Sequence, residues 1–503
     1  MNLFKHRRFL LPAGLVVVYV AGLALVISLR SAPVIGLETD GVYYMIAARA
    51  LFTKEFVPST FGGGIGMPLS IAAVNLIVSD TFRSAQFVSA IAGLIFLIAA
   101  VRIFTGVHSL ALGMMTGTLL LVSPVLVLNS ATSLTDVLGA CLPLAALWLL
   151  FAEKRSSRWW GALGGGILLG VAYAVRSVDV LFFPIGLVAV AQNGWRKSAK
   201  QMAIVAGGLV LGALPQLYVN QKYFGNPFYS DNWRNIAALV FDWDSVNKLP
   251  SFSEALRQAG PTLIGIWLKR FVIEVPLALY HIVYLPLLFS VPGVFLLVSR
   301  TRGLPRRLII TWAICTVFYL FLIAGIWRIE PRYFLPALPL LLAGASIMWQ
   351  HLTRHSRPIF AGGLALAILM SAGVAVRDNR QFISAQSTEF KEAGLFLRGE
   401  PFGEGLILAS QPSVFFYASR PGMLIENVPK AELEKLDVVV ASRKVDWIVF
   451  DERRGYRDHP NLGWLLDPKS TVAAEQGWQP VFVHNSPRIV AWRTHAPLQA
   501  GIR

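Results

Sequence analysis

Apolar residues in this chain come in long runs separated by short polar breaks, and the runs set the predicted elements. A hydrocarbon core about 30 Å thick takes roughly 20 apolar residues per helix. Runs of that kind lie at 9–29, 84–105, 109–129, 136–152, 160–176, 178–193, 201–221, 280–299, 307–327, 332–350 and 358–376, predicting about eleven membrane spans. The pair between 160 and 193 is separated only by Arg176-Ser177-Val178-Asp179. The first run follows Lys5, Arg7 and Arg8, exceeds the length of a signal-peptide core and precedes no small-residue cleavage site, so it is expected to be a retained anchor.

Three stretches depart from that pattern. Residues 30–83 hold Glu38 and Asp40, which open the stretch ETDGVYYMIAARALF (38–52), whose apolar and small residues recur at helical spacing and predict a helix lying in the membrane interface. A Phe61-Gly62-Gly63-Gly64-Ile65-Gly66 stretch follows as an expected flexible hinge, then a second apolar helix opened by Pro68. Residues 222–276 read as a long loop containing FGNPFYSDNW. From 377 to 503 the period becomes strand-like at 406–410, 413–419, 446–452, 480–485 and 488–494, with helical patterns near 387–398 and 430–442. That is enough chain for a separate α/β domain, divided from a membrane domain spanning 1–376.

Charge orients these elements. The chain is 55% hydrophobic and 15% charged, with mean hydropathy +0.58 and net charge +17. With a cytoplasmic N-terminus, the inner loops collect 16 Lys and Arg against the single acid Glu153, leaving a net +2 for everything outside. The positive-inside rule accounts for that asymmetry. The basic balance therefore reports topology, and nucleic acid is not an expected partner. Cys141 and Cys315 fall inside predicted spans, and the eight histidines show no metal-ligand spacing. No cofactor is predicted, and a divalent metal ion is left open.

Asp136, Arg176, Asp179, Arg328, Glu330 and Arg332 fall at the outer ends of spans, as Glu38 and Asp40 do, whereas the inner ends hold almost no acids. Charge inside a bilayer is costly, so such a cluster points to a site for an anionic, membrane-embedded substrate. Snorkelling and a local Arg176–Asp179 pair are the competing explanations.

The residues also resemble a family. The acids after the first span, Gly66-Met67-Pro68, TSLTDVLGACLPLAAL (132–147), LLGVAYAVRSVDVLFFP (168–184), YFGNPF (223–228) and EPRYFLPALPLLL (330–342) are similar in order and sidedness to GT-C membrane glycosyltransferases of the family 39 type. These include the protein O-mannosyltransferases and lipid A aminoarabinose transferases. Glu38-Thr39-Asp40 replaces the adjacent acids of many members, and Met67 replaces an aromatic. The resemblance implies a polytopic α-helical membrane protein of GT-C-like fold with a C-terminal extracytoplasmic α/β domain, set in a bacterial inner membrane. It also implies transfer of a hexosyl or pentosyl group, with inversion, from a polyprenyl-phosphate-linked sugar to a hydroxyl of a glycan, lipid or protein acceptor.

On that reading Asp40 is the candidate base and Glu38 the second choice, although Asp40 also fits a helix cap. Asp136 orients the acceptor or a basic partner, or caps its span. Arg176 and Arg332 bind phosphate, with Lys269, Arg270, Arg328 and Tyr333 as further substrate-binding candidates, and Tyr43 and Tyr44 stack on sugar or lipid. A transporter or flippase, and a non-catalytic assembly partner in envelope glycan synthesis, stay open as alternatives. A reporter active only in the cytoplasm, fused after Arg503, is expected to be silent; an active fusion would overturn the odd span count.

Overall fold

A computed structural model of the chain describes residues 14–22, 39–53, 64–151, 159–191, 195–230, 236, 239–241, 252–283, 286–326, 329–353, separate positions between 358 and 380, and 388–400, 405–428 and 430–494. The chain forms two compact units: Met1–Ser28 with Ala47–Arg380, and Leu29–Ile46 with Gln381–Arg503.

The helices in order are α1 (Thr39–Ala50), α2 (Gly66–Val78), α3 (Thr81–Val107), α4 (Leu110–Leu121), α5 (Pro124–Asn129), α6 (Asp136–Phe151), α7 (Trp159–Val175), α8 (Phe183–Val190) and α9 (Trp195–Phe224). There follow α10 (Phe252–Lys269), α11 (Val275–Val283), α12 (Pro286–Arg300), α13 (Gly303–Ala324) and α14 (Leu338–Leu352). Among the described residues Thr81–Val107, Ser198–Phe224 and Gly303–Ala324 are long and apolar enough to cross a membrane, with shorter apolar helices beside them.

Local chemistry explains several ends. The Asp80 carboxylate accepts the Arg83 N–H at 2.8 Å to start α3, and Ser109 does the same for the Leu112 N–H at 3.2 Å to start α4. The predicted run 109–129 is cut by Ser123-Pro124, because proline cannot supply the N–H that a continuous helix needs. The predicted span 178–193 begins as a 3-10 turn, Ser177–Phe182, before α8. Only 14–22 of the first predicted run is described, and it is helical.

Helices α7 and α9 cross at four glycines. A methyl on Gly166, Gly170, Gly208 or Gly212 would fall onto a backbone carbonyl of the opposite helix, so only glycine permits this approach. Gly64 is used the same way: a side chain there would meet the Ala174 carbonyl. It is a close-contact position and not the hinge its sequence context predicts; 61–63 lie outside the described residues.

The stretch 222–276 departs from its expected loop character. Its first part is an ordered turn in which the Asn220 amide donates to the carbonyls of Pro227 and Tyr229, both at 3.0 Å, and the Phe224 and Tyr229 rings stack at 4.1 Å. Its last part is α10, followed by a π turn at Arg270–Glu274. Glu254, Arg257 and Lys269 hide this helix from a hydropathy reading, although its apolar residues keep helical spacing.

The second unit contains α15 (Glu389–Gly399), β1 (Leu406–Ala409), α16 (Pro412–Ala418), β2 (Gly422–Leu424), α17 (Leu436–Ser442), β3 (Val445–Asp451), β4 (Gln479–Asn485) and β5 (Arg488–Arg493). The sheet order is β2-β1-β3-β5-β4, with β2, β1 and β3 parallel and the β5 pairings antiparallel. Period-two alternation places Ile407, Trp447, Val449 and Ile489 on one face with Phe390 and Leu397 of α15. Leu408, Ile448, Phe450 and Trp492 line the other face with Val439 and Val440 of α17. Predicted strand 413–419 is instead helix α16: Pro412 opens it, Val414, Phe415 and Ala418 are buried at helical spacing, and Ser419 ends it in the left-handed region.

Glu389 opens α15 with a side chain only 1% exposed, 3.4 Å from Arg453. Burial pushes its carboxyl above the ordinary range, partly offset by its own backbone N–H and by Arg453. The folded form therefore favours the protonated acid, so this group's stabilising contribution is full below its unfolded pKa and is lost as pH rises through the raised folded value. Glu389→Gln is expected to raise the melting temperature more at pH 8 than at pH 5. An equal effect at both pH values would refute that coupling.

Candidate active site

The first unit gathers a cluster of charged side chains where several helices end. Asp136 stands in the first turn of α6. After α7 the chain turns extended at Arg176 (φ −147°, ψ 112°), and the Asp179 N–H donates to the Arg176 carbonyl at 2.9 Å, closing a turn that Pro184 carries into α8. A 3-10 turn, Pro331–Phe334, presents Arg332 and Tyr333, and α13 brings Tyr319.

These groups hold one another. Arg176 Nη1 donates to Asp136 Oδ1 at 2.8 Å. Arg332 Nε lies 2.7 Å from Glu330 Oε2 and 3.7 Å from Asp136 Oδ2. The Tyr333 ring sits by both guanidiniums, 5.3 Å from Arg332 Cζ and 5.6 Å from Arg176 Cζ, as cation–π contact favours. The Tyr319 hydroxyl donates to the Tyr333 carbonyl at 2.8 Å, fixing the turn. Side-chain exposure is 5% for Asp136, 12% for Arg176 and 14% for Arg332 but 32% for Glu330, so the cluster is closed within and open at Glu330. Charges this poorly solvated interact strongly.

Asp179 is fully buried, and neither carboxylate oxygen has a hydrogen-bond partner among the described residues. The expected local Arg176–Asp179 ion pair is therefore replaced by Arg176–Asp136. Gly139, one turn into α6, makes the crowding possible. A Cβ there would lie 2.6 Å from Asp179 Oδ2 and 2.7 Å from Arg176 Cδ.

The other sequence candidates stand elsewhere or are not described. Arg270 is buried, donating to Glu274 at 2.8 Å and to the Ile326 carbonyl at 2.6 Å, so it ties the π turn to the end of α13. Lys269 is exposed in the last turn of α10. Asp40, Tyr43 and Tyr44 lie on α1 in the part that clusters with the C-terminal unit: Asp40 exposed, Tyr43 half-buried and Tyr44 buried. Asp40 occupies the first turn of α1. Glu38 and Arg328 lie outside the described residues.

Sequence reasoning missed Tyr319 and Gly139; the lone hydroxyl in VFYLF was the available signal for the first. It also missed the chain of amides that anchors the start of α2, where the Ile65 N–H donates to Gln216 Oε1 at 2.7 Å and Gln216 to Asn220 at 2.8 Å. A narrow apolar cleft lined by Phe96, Leu144, Leu147, Phe182, Ile185 and Trp312 among others lies in this unit. The Phe182 ring stands 5.5 Å from that of Tyr319 and so links cleft and charged cluster. Among the described residues no three His, Cys, Asp or Glu side chains are grouped to hold a metal.

The fold that carries this cluster is that of the GT-C superfamily. The family model for dolichyl-phosphate-mannose-protein mannosyltransferase matches residues 63–218, taking in Asp136 and Arg176 but neither Asp40 nor Arg332. The crystal structure of ArnT from Cupriavidus metallidurans bound to undecaprenyl phosphate is similar over 97% of this chain and 99% of that one, with TM-score 0.62 and 15% identity. The Archaeoglobus fulgidus oligosaccharyltransferase in complex with zinc and sulfate is similar over 96% of this chain and 74% of that one, at TM-score 0.54 and 15% identity. Arabinofuranosyltransferase AftD from Mycobacteria matches 96% of this chain and 42% of its own length, at TM-score 0.56 and 14% identity. No curated protein matches the chain by sequence.

Removing one partner of a buried pair leaves an uncompensated charge, at a cost of about 3–5 kcal/mol. Asp136→Ala should lower thermal stability by that order in detergent, and Asp136→Asn by less. A melting temperature unchanged in both would contradict the buried Asp136–Arg176 pair.

Proposed function

We propose that this chain is an integral-membrane glycosyltransferase that takes a sugar from a polyprenyl-phosphate carrier and joins it, with inversion, to a hydroxyl of a glycan, lipid or protein acceptor. The observation that carries this reading is the pair of guanidiniums, Arg176 and Arg332, flanking Tyr333 within an apolar helical unit. Guanidiniums suit phosphate through forked, charge-assisted hydrogen bonds, and the surrounding apolar surface suits a lipid chain. The resemblance in fold to ArnT, solved with undecaprenyl phosphate, supports the same class of donor.

On this reading the acceptor oxygen attacks the anomeric carbon in line with the departing phosphate. The new C–O bond forms as the carbon–phosphate-oxygen bond breaks, and the phosphate leaves with the electron pair. Arg176 and Arg332 stabilise the charge gathering on it. Asp136 aligns the two arginines. Asp40 takes the acceptor proton; exposed in the first turn of α1, it is reachable. Glu38 is the second candidate base, and Lys269 and Arg328 are further phosphate contacts. The charge asymmetry of the loops supports an inner-membrane protein with a cytoplasmic N-terminus and chemistry on the outer face.

Purified protein given extracted acceptor is expected to turn over with a polyprenyl-phosphate sugar and not with a nucleotide sugar alone. Asp40→Asn should lower that turnover by about 10²–10⁴, the scale of general-base catalysis, with donor binding unchanged. Turnover from the nucleotide sugar alone would overturn the donor assignment. Full activity in both Asp40→Asn and Glu38→Gln would remove the catalytic role of this segment.

A further inference from the structure

The C-terminal unit includes a piece from near the start of the chain: residues 29–46, with Asp40, cluster with 381–503. Within that unit Tyr43 packs against the core formed by Phe390, Trp447, Ile489 and their neighbours. Asp40 and Tyr43 are three residues apart on α1 and share a helix face. Burial pushes the Tyr43 hydroxyl up from its ordinary range; Glu426 adds to this, Arg454 opposes it and Asp40 adds again, so all three charges act on that hydroxyl.

Glu426 and Arg454 follow the carboxyl ends of parallel strands. Glu426 lies in the turn just after β2, Ser410 directly after β1, and Asp451 ends β3 with Arg454 three residues on. Asp451 is fully buried and locks this edge. Its carboxylate accepts the Arg454 N–H at 2.7 Å, the Gly455 N–H at 3.2 Å and the Ser410 hydroxyl. Arg454 in turn donates to Glu426 at 3.1 Å and lies 3.8 Å from Asp458. Both members of the Arg454–Glu426 pair are part-exposed, and exposed pairs add little stability. Their value lies in geometry. In open α/β sheets the carboxyl edge of the parallel strands is where ligands are commonly held.

We propose that the C-terminal domain is the seat of the Asp40 segment, with Tyr43 and Arg454 as positioning residues that fix where the Asp40 carboxylate stands. This rests on Asp40 being the base. The domain then acts on kcat through the placement of one carboxylate, and a small misplacement of a catalytic group costs rate out of proportion to stability.

The test uses the full-length protein with two substitutions, Tyr43→Ala and Arg454→Gln, and two measurements. Amide hydrogen exchange across 39–46 should accelerate about tenfold or more in both variants, while α3 and β3 keep their protection. Turnover with the polyprenyl-phosphate sugar should fall about 10–10²-fold with the donor KM within about twofold, and adding either substitution to Asp40→Asn should lower the turnover of that variant little further. Unchanged exchange in Arg454→Gln, which leaves the hydrophobic core intact, overturns the docking even if Tyr43→Ala unfolds the domain. Faster exchange with unchanged kcat overturns the positioning role. If the wild-type protein transfers no sugar, the functional reading fails by itself, and the exchange data still decide whether the domain holds the segment.

Discussion

The buried pair between Asp136 and Arg176 is the constraint around which the first unit is built. Two charges with side-chain exposures of 5% and 12% are tolerable only because each meets the other at 2.8 Å. Around that contact the chain makes several local concessions. Glycine at 139 gives up helix propensity so that Arg176 and Asp179 can approach α6. The backbone leaves helical geometry at Arg176, and the Tyr319 hydroxyl, donating to the Tyr333 carbonyl, holds the turn that carries Arg332. A buried ion pair is seldom the most stabilising content for a core, so its presence among apolar helices fits a role in handling charge better than one in holding the fold.

The remainder of that unit holds together through contact at short range. Helices α7 and α9 meet along glycines because apolar side chains gain little from one another when the surroundings are themselves apolar, and dispersion rewards close backbone approach. The second unit follows the rules of water-soluble domains: alternating faces on a five-stranded sheet, helices on both sides, and a buried aspartate receiving two backbone N–H groups at the end of β3. The two units thus use different solutions to burial, as the change in periodicity near residue 380 already implied.

How much of this was legible depended on how local the signal was. The apolar runs gave α3, α6, α7 and α13, and β1, β3, β4 and β5 were readable from alternation in the tail, because burial of one face dictates both periods. Segment 413–419 was misread since FFY has strand propensity, whereas its buried positions recur at helical spacing once Pro412 has started a turn. Helix α10 was missed because three charges lowered its hydropathy without disturbing its periodicity.

For the site, the sequence by itself determined which chemistry was available: carboxylates at 38, 40 and 136 and arginines at 176 and 332, set where predicted spans end. Charge is costly inside an apolar layer, so its placement is written in the order of residues. Which charges face one another was decided only by the tertiary structure. Arg176 turns to Asp136, 40 residues away, and leaves its neighbour Asp179 without a hydrogen bond among the described residues; Arg270 is taken up by Glu274 and a backbone carbonyl; Tyr43 joins the core of a domain more than 300 residues downstream. Pairings of that kind depend on where helices cross and which carbonyls are left at their ends, and neither is encoded in any local window of the chain.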